Sequence, residues 1–434
     1  MILKNRTLQL LLFFAAITSI FTRNPVLGEP NDPYFPFTPD RGYIDIYNEN
    51  NSMWYWHFKA EKNPEKAPLM LWFTGGPGGA STMDMFMTNG PFEFHNWPEG
   101  GRKAFLRNAT FVKVANMVYI DFPLGVGFST VTPDKLSRVG KQVEEQILIF
   151  FQKFLEKYPE YRGRPLYVTG VSYAGHWVPH VATALKYSDN PDINVQGFYI
   201  SSPLSDSYLL DKSYLNFSLK SSKYTHMTKE AAQTLLPYQD LCIHSQGFGI
   251  NRMFVRNAKN LCWDTFANGV LNSYLVKNNP KWSPFFMPGN SSMPPKDNNF
   301  QKFLEDPSVK KYLGIRKLNF SLYNKTFLDD YAPGDMFVDM KPLIARLLDD
   351  GVKGVITVGD MDFITNYFST EKVTSEVRWR HQKEFNQVER APCKYGLCKE
   401  YKNLREIRVF GAGHGIGEYQ PENALEIITA MIDW

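Results

Sequence analysis

The sequence predicts an α/β fold: a mostly parallel central sheet covered by helices on both faces, interrupted by one inserted cap subdomain. Three observations carry that expectation. Short apolar runs rich in β-formers alternate with runs of helical period before residue 204, and the alternation resumes after residue 352. Between them, 205–335 shows no such alternation and is rich in Asn, Lys and Pro. Three of the apolar runs end in glycine-bearing turns that each present a polar residue, at the sheet edge where open α/β sheets gather their ligands.

The elements follow in order. After a Pro- and Asp-rich arm (29–40), aromatic β-type runs at 43–47 and 53–58 flank the polar stretch 48–52, the pattern of a hairpin. Residues 68–73 make a short buried strand that ends in Thr74-Gly75-Gly76-Pro77-Gly78-Gly79. So many glycines let the backbone pass close to a ligand. A phosphate loop would need a Gly-Lys-Ser/Thr ending, which is absent. Another buried strand is expected at 116–122. Over 136–158, Val139, Val143, Ile147, Phe150, Phe151, Phe154 and Leu155 repeat with a helical period and face a core rather than a cofactor. The run 166–168 meets a Gly-x-Ser-x-x-Gly turn, then a helix at 178–185 and a strand at 193–200. Strands at 353–358 and 406–410 and a helix at 421–434 close the chain. The expected division is a leader at 1–28, a core at 29–204 and 336–434, and the cap at 205–335, whose apolar runs are too scattered for an independent core.

With 48 Lys+Arg against 44 Asp+Glu and no long basic run, the chain lacks the footprint of a nucleic-acid binder. Lys4 and Arg6, an apolar stretch over 8–21 and Val26-Leu27-Gly28 read as a signal peptide. The apolar stretch is shorter than the ~20 residues of a spanning helix, so no membrane anchor is expected and the mature protein is placed in the secretory pathway. Six sequons outside the leader agree, at Asn50, Asn108, Asn216, Asn290, Asn319 and Asn324. Four cysteines allow three pairings, of which proximity favours Cys242–Cys262 and Cys393–Cys398. Zinc would need histidines at ligand spacing nearby, and none stands there. Neither a metal nor a cofactor is expected.

The chemistry gathers at three strand ends. Ser172 lies between a strand and a helix in a turn so tight that only small side chains fit at Gly170, Ala174 and Gly175. Such an elbow lifts the hydroxyl above the sheet and aims the N–H of Tyr173 at an oxyanion, with Gly76 as the second donor. Serine needs a base to take its proton, His414 can do so near neutral pH, and a carboxylate holds the imidazole tautomer. Asp362 and Asp360 share one turn and compete for that role, and either also reads as a turn-stabilising residue. His414 among its glycines reads, alone, as a loop histidine. The order Ser, Asp, His along the chain is that of an α/β-hydrolase triad.

From residue 43 to 434 the chain resembles the serine carboxypeptidase family. The resemblance rests on five motifs in order: Trp72-Phe73-Thr74-Gly75-Gly76-Pro77-Gly78, the run 121–129 (Asp-Phe-Pro-Leu-Gly-Val-Gly-Phe-Ser), the elbow 170–179, Gly359-Asp360-Met361-Asp362 with its continuation to Asn366, and Gly411-Ala412-Gly413-His414 with Gln420-Pro421. It implies an α/β-hydrolase fold, cleavage of C-terminal residues from peptides or proteins, and Asp362 rather than Asp360 in the triad. The family's carboxylate-binding Asn and two Glu fall at Thr74, Thr88 and Val171 here, so all three are changed. Hydrogen bonds to a charged group contribute about 1.5–3 kcal/mol each. Recognition of a free carboxylate is therefore expected to use other groups, and the family's acid preference to weaken. An acyltransferase or esterase on the same scaffold, or a binding protein without turnover, are the competing readings. The sequence leaves a homodimer open.

Overall fold

A computed structural model describes residues 32–94, 103–246, 252–289, 299–316 and 320–434. The expected leader and the sequon residues Asn290 and Asn319 lie outside them.

Ten strands form one sheet: β1 (Asp40–Asn48), β2 (Asn51–Phe58), β3 (Leu69–Phe73), β4 (Asn116–Ile120), β5 (Pro165–Val171), β6 (Asn194–Ser201), β7 (Lys353–Gly359), β8 (Ala391–Cys393), β9 (Gly396–Tyr401) and β10 (Leu404–Val409). Their order is β1-β2-β4-β3-β5-β6-β7-β10-β9-β8. The middle, from β4 to β10, is parallel, and both edges turn antiparallel. Every residue of β3 and β4 is buried, which is why their sequences read as unbroken apolar runs rather than alternating ones.

Helices cover both faces. α1 (Ser81–Met87) follows the glycine loop after β3; α2 (Gly140–Lys157) precedes β5, and α3 (Ala174–Lys186) leaves the serine turn. α2 buries Val143, Ile147, Phe150, Phe151, Phe154 and Leu155 on one stripe, as its period demands. It begins later than the sequence predicts: Val139 is its exposed N-cap. A Cβ on Gly140 would meet the His180 ring at 2.3 Å, so the chain passes too close to α3 for the helix to be entered by a larger residue. In contrast α3 begins earlier than its apolar run, because the elbow turns directly into it.

The stretch between β6 and β7 is helical throughout its described elements. It includes α4 (Ser207–Lys220), α5 (Lys229–Gln246), a continuous run over 252–278 that is π-helical at Asn260–Leu271, α6 (Lys325–Asp335) and α7 (Lys341–Asp349). In α5 only Ala232, Leu235, Gln239 and Cys242 are buried, so no continuous apolar stripe announces that helix. The Cys242–Cys262 disulfide fastens α5 to the π-helical run, and Cys393–Cys398 closes the β8–β9 hairpin. Asn50, Asn108 and Asn216 are exposed. Asn324 is half-buried, and its side-chain amide donates to the Gly125 carbonyl at 2.9 Å. No described helix is long and apolar enough to cross a membrane.

Candidate active site

Ser172 is placed by the end of β5 and the start of α3, and its φ of +67° lies in the left-handed region. A non-glycine residue held there stores backbone strain that the surrounding fold must enforce. The enforcement is visible: a Cβ on Gly170 would meet Ala174 Cβ at 2.5 Å, and one on Gly175 would meet the Leu204 carbonyl at 2.3 Å. The predicted need for small residues around the turn is thus met by specific neighbours. Across the turn, a Cβ on Gly75 would lie 2.4 Å from Tyr173 N, so the glycine loop passes directly against the elbow backbone. Gly76 has a φ of +123°, and neither its N–H nor that of Tyr173 has a backbone acceptor among the described residues.

Asp362 and His414 come from the loops after β7 and β10. Both are buried, and His414 Nδ1 lies 3.0 Å from Asp362 Oδ2. A carboxylate only accepts, so Nδ1 carries the proton in this contact. Thr365 holds the same carboxylate, its hydroxyl donating to Oδ2 at 2.8 Å beside His414 Nδ1, which lies 3.1 Å from that hydroxyl, and its N–H donating to Oδ1 at 3.2 Å. Asp360 acts elsewhere, since its carboxyl accepts from the Gly411 N–H at 2.7 Å and ties the two loops together. Ser172 and His414 line one cavity of about 190 Å³ with Thr74, Gly75, Gly76, Asp84 and Val171. No hydrogen bond joins the serine hydroxyl to the ring among the described residues, an arrangement that commonly tightens on substrate binding.

The chain belongs to the serine carboxypeptidase family. The family model matches residues 29–434. Carboxypeptidase S1 of Penicillium janthinellum is 28% identical over 416 residues, covering 90% of this chain and 94% of its own. Serine carboxypeptidase-like 49 of Arabidopsis thaliana is 26% identical over 423 residues, covering 90% and 76%. A solved prohormone-processing carboxypeptidase from Saccharomyces cerevisiae shares the fold with a TM-score of 0.75 at 20% identity, over 91% of each chain. The α/β-hydrolase architecture expected from the sequence is therefore the one present, and the chain is a serine-carboxypeptidase-type hydrolase.

Of the three substituted family positions, Thr74 and Val171 line the acyl cavity. Thr88 and Val171 line a smaller cavity next to it, and the Thr88 hydroxyl is turned to the Asp84 carbonyl at 3.0 Å. Sequence reasoning missed four kinds of contribution. The segment between β6 and β7 supplies Trp263, Phe285, Tyr323 and Leu328 to the cavity wall. Its backbone also clamps the loops of the candidate site: the Phe285 carbonyl accepts from His414 N at 2.8 Å, and Asn324 N donates to the Gly78 carbonyl at 2.9 Å. Thr365 was visible in sequence only as part of a motif. Asp84, a single acid in an apolar helix, gave no local signal; its carboxyl is 1% exposed and accepts from Trp72 Nε1 at 2.9 Å and from the Thr74 hydroxyl.

Proposed function

We propose that this family member removes C-terminal residues from peptides in the secretory pathway, with Ser172 as nucleophile, His414 as base then acid, and Asp362 as the residue orienting it. The observation that carries this reading is the left-handed Ser172 sharing a cavity with a histidine whose far nitrogen is fixed by a buried carboxylate. His414 Nε2 takes the hydroxyl proton as Oγ attacks the acyl carbon, and the N–H groups of Gly76 and Tyr173 hold the oxyanion. The leaving amine receives that proton, and water repeats the sequence on the acyl-enzyme. Thr74, Thr88 and Val171 flank the leaving residue.

The test compares a blocked dipeptide as free acid, amide and ester, with Ser172→Ala as blank and fluorophosphonate labelling of Ser172 as the count of active sites. Preference for the free acid supports the carboxypeptidase; absence of labelling overturns the catalytic reading. An esterase or acyltransferase is the second reading, favoured by the loss of carboxyl and amide side chains at Thr74, Thr88 and Val171. Equal or faster turnover of amide and ester selects it.

A further inference from the structure

Asp84 occupies an unusual position for an acid: buried in the wall of the acyl cavity, with both hydrogen bonds from Trp72 and Thr74 arriving on Oδ2. Oδ1 has no hydrogen-bond partner among the described residues. A carboxyl held in this way is satisfied on one oxygen only, and the other is available to whatever enters the cavity. Just beyond, a cavity of about 10 Å³ shares Val171 and Gly415 with the acyl cavity. It is lined by Asn89, which is buried with neither end of its side-chain amide bonded, and by Ser201, whose hydroxyl is also unpartnered. The polar side of the substrate site is thus only partly satisfied by the protein itself.

We propose that Asp84 determines specificity in this cavity: as a neutral acid it donates from Oδ1 to the terminal carboxylate of a peptide, and as a carboxylate it turns that peptide away in favour of the amide or ester. The inference rests on the proposed peptide-binding role of the cavity. Its acid–base setting comes from several elements. Burial is the largest influence on Asp84 and pushes its carboxyl up to about 6, while the Thr74 and Trp72 hydrogen bonds and the charge of His414 pull it back. Glu418, four residues past His414, is pushed up to about 7 by burial and by the negative charge of Asp84, against His414 and Arg107. The other titratable groups within electrostatic reach, Tyr119 on β4 and Tyr323, have hydroxyls pushed up by burial and stay neutral. Arg107 is anchored elsewhere, on the carbonyls of Phe86 and Gly90 and on Glu93 at 3.4 Å.

The chemistry sets the direction. Below about pH 6 the proton on Oδ1 makes a charge-assisted hydrogen bond to an incoming carboxylate. Above it, two like charges would meet in a desolvated site, and a neutral amide that can donate to Oδ1 is preferred. An acid-dependent preference for free carboxylates is thereby expected, where the substitutions at Thr88 and Val171 by themselves predict its loss.

The test separates binding from turnover. Calorimetry on Ser172→Ala measures the affinity of a blocked dipeptide and of its C-terminal amide from pH 5 to pH 8. The expected result is a preference for the acid that falls by up to about tenfold per pH unit once Asp84 ionises. In Ser172→Ala/Asp84→Asn the side-chain amide donates at every pH, so the acid stays bound at pH 8 and the slope disappears. An unchanged pH slope in the Asp84→Asn background, or no binding of the acid at any pH, overturns the proposal. Turnover of the same peptide by the unmodified protein judges the carboxypeptidase reading separately: binding without cleavage sinks that reading and leaves Asp84 standing.

Discussion

Two histidine–carboxylate clusters stand close to the serine turn, built from the same residue types and arranged to opposite ends. At the cavity, His414 is held by one carboxylate, Asp362, and lines the cavity together with Ser172. On α3, which leaves the turn, His180 stands between two carboxylates, its Nδ1 hydrogen-bonded to Glu144 at 2.6 Å and its Nε2 in charge contact with Asp335 at 3.4 Å. Asp335 is 1% exposed and also takes His176 Nδ1 at 3.0 Å and the Tyr173 hydroxyl at 2.9 Å. The two carboxylates raise His180 to about 9 despite the opposing effect of burial, and the histidines hold Asp335 well below the usual carboxylate range against its own burial. A histidine bracketed on both sides keeps its proton and acts as a tie, whereas one held by a single carboxylate can exchange it. The second cluster anchors the ring of Tyr173, the residue whose N–H is proposed for the oxyanion, and joins the end of α6 to the core.

The sharpest break in this comparison is at the carboxylates. Asp362→Asn is expected to cost on the order of 10⁴ in kcat through the wrong tautomer, and Ser172→Ala on the order of 10⁶ through loss of the nucleophile, both with unchanged thermal unfolding. Asp335→Ala is expected to do the reverse, lowering stability by about 3–5 kcal/mol by leaving paired charges buried alone, with a far smaller loss of kcat in the protein that remains folded. Equal kcat losses from the two carboxylates without a change in unfolding would erase the distinction.

The pH dependence of stability sharpens it further. The folded-state pKa of His180, about 9, lies above its ordinary value near 6.5, so its contribution is complete below about pH 6.5 and is lost as the pH rises toward 9. Denaturant melts between pH 6.5 and 9 should lose on the order of 2–3 kcal/mol, and His180→Gln should flatten that decline. Asp335 is shifted the other way, so its contribution is present above the ordinary carboxylate range near pH 4 and fades only under strongly acid conditions. The smallest expected effect is at Thr365→Val, which removes the hydroxyl donated to Asp362 at 2.8 Å. One such bond is worth about 1–1.5 kcal/mol, or roughly tenfold in kcat. A silent Thr365→Val would mean that the backbone N–H of residue 365, the contact with His414 and burial suffice to orient Asp362.

Much of the framework was legible because its signals are local. The strands expected at 68–73, 116–122, 193–200, 353–358 and 406–410 all appear within a few residues of their expected bounds, and the first two are apolar runs buried on both faces. Ser172 was legible from the small residues that its tight turn demands, and Asp362 from its place in a motif beside Asp360. The helices between β6 and β7 were not legible, since their apolar residues are shared among several packing partners instead of forming one stripe.

By itself, then, the sequence determined the parallel sheet and the order of the three candidate catalytic residues. Each follows from chain neighbours: periodicity, turn chemistry, residue identity. Only the tertiary structure decided that Asp84 and Glu418 stand near His414, that Asp335 ties α6 to α3, and that Phe285 and Asn324 clamp the loops of the site. Those outcomes depend on burial and charge, which are set by residues close in space and distant in sequence, and no local pattern encodes them.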